Sequence, residues 1–223
     1  MAERGPQTPE QAAGVLAAGS TAKRARLAAG PRAVYQAVLR AFADAGGPPA
    51  LGDLERVAGA YGLDLAQTLA GLAAADVLGL DGQGRIRMAY PFSASPTAHQ
   101  VAIDSGPCVY AMCAIDALGI PAMLHADAVI TSSDPLTAAP VTITVAAGKA
   151  SWDPAGAVAF SGCAPGGGPA ERTCCGYLNF FAGPASAREW ASQHAEVTGA
   201  VLDQAAAQAL GAEVFGQLLD DGI

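Results

Sequence analysis

LGLDGQGRIRMAY, residues 78–90, alternates apolar and polar side chains on either side of DGQG, the pattern of a hairpin. Upstream the period changes. PRAVYQAVLRAFADAGG (31–47) sets Val34, Val38, Leu39 and Phe42 at helical spacing, opened by Pro31 and closed by Gly46-Gly47. LGDLERVAGAYG (51–62) and LDLAQTLAGLAAADV (63–77) read as two shorter helices joined at Gly62, with Asp64 as N-cap of the second. Three helices followed by a two-stranded wing predict a winged-helix-like domain over 31–90. Residues 1–30, punctuated by Gly, Ala and Pro and carrying Lys23, Arg24 and Arg26, read as a flexible lead-in.

Downstream of Tyr90 the pattern is mixed. PFSASPTAHQVAIDSG (91–106) is a connector with one strand, followed by a helix from about Val109 to Leu118 that Gly119 and Pro121 stop. Strands are expected at 127–131, 141–146, 155–164 and 200–202. CCGYLNFFAG (174–183) has strand character, SAREWASQH (186–194) reads as a short helix with Ser186 as N-cap, and helical pieces run to Leu219. The fold class expected is α+β, a helical front followed by an antiparallel-sheet domain over 91–223.

Twelve basic against twenty acidic side chains give a net charge of -8, which argues against a phosphate-binding surface. The helix that would enter a DNA groove, DLAQTLAGLAAA, has no Arg, Lys or Asn, and Gln67 alone could read a base edge. The front is therefore expected to pack rather than to bind nucleic acid. No apolar run of about 18 residues exists, so no membrane span is expected. The N-terminus has no basic region leading into an apolar core, so a cytoplasmic protein is expected. Richness in Ala and Gly, with Arg preferred to Lys, suggests a high-GC bacterial gene.

His99, His125 and His194 have no metal-ligand spacing to one another or to a cysteine, and read as surface or loop residues. The five cysteines, 108, 113, 163, 174 and 175, are more informative. In a reducing compartment, metal or catalytic roles outrank disulfides. Cys113 and Asp116 stand three apart, so on a helix they share a face. On a strand Cys174 and Cys175 point to opposite faces, so only one of them can meet Cys113. Two converging thiolates suit a soft metal ion, whereas free cysteines also fill cores as small hydrophobes. The residues alone leave both open.

CVYAMCAIDALGIPAML (108–124) resembles the cysteine helix of the organomercurial (alkylmercury) lyases. ERTCCGYLNFFAGPASAREWASQH (171–194) resembles their second motif, a Cys-Cys pair leading through an aromatic run to E-x-W-A-x-x-H, and APVTITV (139–145) resembles a strand between the two. The resemblance spans roughly residues 30–220. It implies catalytic roles for Cys113, Asp116 and Cys174, the two sulfurs binding mercury and the aspartate shuttling a proton, and it leaves Cys175 facing away. It also implies that the carbon–mercury bond is cleaved by protonolysis to a hydrocarbon and Hg(II), with burial raising the Asp116 pKa enough for an acid role. No resident cofactor is implied. The partners expected are the organomercurial, low-molecular-weight thiols that strip off Hg(II), and a mercuric reductase. Met112 replaces a tryptophan of better-known members, and Asp134 stands where many carry a further cysteine. Met112 leaves a second reading, the same Cys/Asp/Cys site acting on another organometal or a metabolite, and a winged helix coupled to a thiolate site leaves a third, a non-enzymatic metal sensor.

Overall fold

The computed structural model describes residues 27–220, so the cluster Lys23, Arg24 and Arg26 and most of the expected lead-in lie outside them. Three helices open the described chain: α1 (Ala29–Ala45), α2 (Leu51–Ala60) and α3 (Leu65–Ala74). The apolar residues that set the helical period in α1 are its buried face, Val34, Val38, Leu39 and Phe42 among them. Gly46 ends α1 at φ 79, a left-handed conformation that glycine adopts without a Cβ clash. Asp64 caps α3 as expected, its carboxylate accepting from the Gln67 N–H at 2.8 Å.

The hairpin forms where the alternation placed it, as β1 (Leu78–Leu80) and β2 (Ile86–Ala89). Asp81 organises the turn, accepting from the Gln83 and Arg85 N–H groups and from the Arg85 side chain. The sheet then crosses position 90 without a break: β3 (Phe92–Ser93) pairs with β2, Met88 opposite Ser93 and Ala89 opposite Phe92. With β4 (Gln100–Ile103), β5 (Cys108–Ala111), β6 (Ala128–Ser133), β7 (Pro140–Ala146) and β8 (Lys149–Asp153) it forms an eight-stranded antiparallel sheet in the order β1-β2-β3-β5-β4-β6-β7-β8. β9 (Val158–Cys163), β10 (Asn179–Phe181) and β11 (Thr198–Leu202) make a second antiparallel sheet, order β10-β9-β11. The architecture is α+β.

Three expectations need correction. The helix foreseen over 109–118 is a strand, β5, followed by α4 (Ala114–Leu124), which runs through both Gly119 and Pro121 to a left-handed cap at His125. Gly119 is not a stop but a contact. A Cβ there would lie 2.2 Å from the Phe215 ring on α7 (Gln204–Phe215), and one at Gly211 would meet Leu118 at 2.9 Å. Bare backbone at both positions lets α4 and α7 close on each other. Second, residues 174–178 are not strand. α5 (Ala170–Thr173) and a 3₁₀ turn (Cys175–Tyr177) precede β10, because Pro169 stands where a helix opens. Third, Gly183 precedes α6 (Pro184–Ser192), and Ser186 lies inside that helix, donating to Asp134 at 2.6 Å.

One hydrophobic core runs from Val34 to Phe215 and joins the helical front to the large sheet, with the Phe42 and Phe92 rings stacked at 5.3 Å. A smaller cluster of Val158, Phe160, Phe181, Ala187 and Trp190 lies under α6. No helix among the described residues is long and apolar enough to cross a membrane.

Candidate active site

β5 carries the chain into the site. The Met112 N–H donates to the Pro91 carbonyl at 3.0 Å, and the next residue, Cys113, is the N-cap of α4. Its sulfur takes the place that a serine or aspartate oxygen usually fills, accepting from the Asp116 N–H at 3.4 Å. Cys113 and Asp116 are therefore neighbours through a cap rather than through a shared helix face. The cap also places the sulfur at the positive end of the helix dipole, which favours a thiolate. Burial opposes this. Cys113 is 3% exposed, and desolvation, the nearby Cys175 and the Asp116 charge push its thiol well above the ordinary range, with the Asp116 N–H pulling the other way. At rest Cys113 is a protonated thiol beside a buried carboxyl group.

The third member comes from the vicinal pair. The Ala114 N–H at the start of α4 donates to the Leu178 carbonyl at 3.0 Å, which pins the 3₁₀ turn against the helix N-terminus. The Cys113 sulfur, an Asp116 carboxylate oxygen and the Cys175 sulfur lie within 4.8 Å of one another. Cys174 is elsewhere: it forms a disulfide with Cys163 at the end of β9. The strand argument, with the family resemblance selecting Cys174, left Cys175 facing away, and the structure turns it toward α4 instead. In a helical turn successive side chains diverge by about 100°, not 180°, so Cys174 turns toward β9 while Cys175 turns toward α4. Cys113 and Asp116 are thus brought together as expected, and Cys174 is not brought to them. The vicinal pair alone carried no signal for this; Pro169 ahead of a helical turn was the available clue. Cys108 is exposed on β5, away from the cluster.

The helical front supports this corner. Arg87 on β2 pairs with Glu171 on α5, and the Asp76 carboxylate after α3 accepts from the Ala170 N–H at 2.9 Å. Both contacts fix the turn that presents the vicinal pair. Of the histidines, His125 and His194 stay near the surface, whereas His99, in the loop just before β4, is 3% exposed and so is buried rather than at the surface. It continues the buried phase of Val101 and Ile103 one step ahead of β4, with Ser132 of β6 as its partner.

Two soft sulfurs and a carboxylate converging in an apolar enclosure match a thiophilic metal better than a hard one. Residues 92–216, which contain all three groups, match the family model described as alkylmercury lyase. The chain belongs to the alkylmercury lyase family. Alkylmercury lyase of Streptomyces lividans is 36% identical over 141 residues, 62% of this chain and 63% of that protein. The alkylmercury lyase of Staphylococcus epidermidis is 32% identical over 118 residues, 52% of this chain and 54% of that one. That of Pseudomonas putida is 34% identical over 116 residues, 51% and 53%. The chain thus spans between half and two thirds of these lyases' length. A crystal structure of the mercury-bound form of MerB2 shares the fold, with a TM-score of 0.76 over 92% of this chain and 98% of that one, at 21% identity.

Proposed function

We propose that this protein cleaves the carbon–mercury bond of organomercurials by protonolysis, giving a hydrocarbon and Hg(II). The observation that carries the reading is the convergence of Cys113, Asp116 and Cys175 within 4.8 Å. Mercury arrives as R–Hg⁺ on a small thiol. Cys113 displaces that thiol as a thiolate while its own proton passes to the Asp116 carboxylate, and the second cysteine then binds mercury, its proton going to the departed thiolate. Two sulfur ligands raise the electron density on the mercury-bound carbon. The C–Hg bond then breaks with its electron pair going to carbon, which takes the proton held by Asp116. The balance is R–Hg–SR′ plus two cysteine thiols giving RH, a mercury bis-thiolate and R′SH. Low-molecular-weight thiol, in a reducing cytoplasm, removes the Hg(II) and hands it to a mercuric reductase. The three helices and hairpin over 31–90 act as a winged-helix-like module that braces the catalytic region, 91–223, and binds no DNA. Neither an alternative substrate class nor a sensor role draws on any further observation.

The second sulfur ligand is Cys175 while Cys174 is tied to Cys163. The family motif favours Cys174, and two equivalents of small thiol, reducing the disulfide while being oxidised to their own disulfide, restore it as a thiol. Serine substitutions separate the two. With phenylmercury and limiting thiol, Cys175→Ser should release benzene no faster than Cys113→Ser, whereas Cys174→Ser should stay active. Loss in Cys174→Ser alone would assign the role to Cys174. Wild type that releases no benzene above Cys113→Ser, even in excess thiol, would refute the lyase reading itself.

A further inference from the structure

Tyr90 is the first residue after β2, and 6% of it is exposed. Its backbone is held on both sides, its N–H donating to the Val77 carbonyl at 3.2 Å and its carbonyl accepting from the Tyr35 hydroxyl of α1 at 2.5 Å. Its own hydroxyl closes no well-formed hydrogen bond among the described residues. A buried donor left without a partner is destabilising, so such a group calls for an explanation. The groups that interact with this hydroxyl are Cys175 of the 3₁₀ turn, in loose contact, Asp76 after α3 and Asp116 of α4. Burial first, then these acidic neighbours, keep the phenol protonated and hence a donor. Arg87, the nearby cation, is committed to Glu171.

The geometry points to Tyr90 as a positioning residue for the proton transfer, its hydroxyl donating to the Asp116 carboxylate as that group gives its proton to carbon. This rests on the lyase reading above. Once Asp116 has taken the proton of the incoming Cys113 thiol it is neutral, and mercury engages the sulfur lone pairs, so the hydroxyl has no strong acceptor. When Asp116 passes that proton to carbon, negative charge returns to it inside an apolar enclosure. A waiting donor stabilises that charge and hence the transition state leading to it, without strengthening mercury binding.

Tyr90→Phe removes the donor and keeps the ring. Hydrogen bonds to charged groups are worth about 1.5–3 kcal/mol, so kcat for benzene release from phenylmercury should fall roughly 10- to 100-fold. The rate of phenylmercury capture by the thiols should stay within about twofold of wild type. In an Asp116→Asn background the same substitution should produce no further fall. An active wild type with an unchanged kcat in Tyr90→Phe overturns the assignment. So does a variant whose capture rate falls in proportion to its kcat, since that is a packing role. A wild type that releases no benzene overturns the lyase reading, and this one with it.

Discussion

His99, immediately before β4, is buried, its Nδ1 2.9 Å from the Ser132 hydroxyl of β6 and its ring edge-on to Phe180 at 5.6 Å. Burial, opposed by a hydrogen bond with Asn179, lowers its pKa from 6.5 to about 4. Between those values the unfolded chain binds a proton that the folded chain refuses, so stability is full above about pH 6.5 and falls on acidification toward pH 4, levelling below it. The loss across that window should approach 3 kcal/mol, at about 1.4 kcal/mol per pH unit. Urea unfolding at pH 7 and pH 4.5 should show the decline, and His99→Gln should flatten the slope; an equal slope in that variant would exclude His99 as its source. The same residue marks where local reading stops. Spacing excluded His99 as a metal ligand, but burial was invisible because the connector of 91–106 hides β4 behind a Ser/Pro/Thr run. Cys113 and Asp116 were legible because an i, i+3 pair stays adjacent whether it lies on a helix face or across an N-cap. Cys175 was not, since strand and helical turn orient a vicinal pair differently and Pro169 was the one local sign of the turn.

Elements in this fold are joined by single polar side chains as much as by apolar faces. Asp134 follows β6, 1% exposed, and its carboxylate accepts from the Leu136, Thr137 and Ala182 N–H groups and from the Ser186 hydroxyl. Burial would raise its pKa, but these four donors outweigh burial and hold it below the usual carboxylate range. It therefore ties the 134–139 loop to the start of α6, which accounts physically for an aspartate where relatives were expected to carry cysteine. Asp134→Ala should lower stability by about 3 kcal/mol, since several charge-assisted bonds are lost and the remaining N–H groups are orphaned. Chemical denaturation would measure it, and a change under about 1 kcal/mol would mean the donors find water instead. The element pattern itself was largely readable: α1, α2, α3 and the hairpin stand where period and turn residues put them. α4 was misread because Gly119 and Pro121 resemble a stop, whereas Gly119 serves the close approach to Phe215. β8 went unforeseen. Its strand KASWD carries one buried residue, Trp152, too little to reveal alternation.

At the scale of the whole molecule the helical front and the sheet share one core, and Arg87, Asp76 and Tyr35 link the front to the corner that holds the candidate site. Two regions that share a core should unfold together. Tryptophan fluorescence, which reports Trp152 and Trp190 outside residues 31–90, and far-UV dichroism, which includes α1–α3, should give coincident denaturation curves; separated midpoints would make the front an independent unit. That brace holds together a site whose central claim is that two sulfurs hold mercury while Asp116 protonates carbon. The most direct measurement is a single turnover of one equivalent of phenylmercury, read by intact-protein mass and by headspace benzene. Wild type should carry bare Hg(II) and release benzene stoichiometrically. Asp116→Asn should carry the intact phenylmercury adduct and release benzene at least roughly 10²–10⁴-fold more slowly, the usual range for a lost acid–base group. Wild type that keeps its phenyl group, or an Asp116→Asn variant that sheds it at the wild-type rate, would contradict the account.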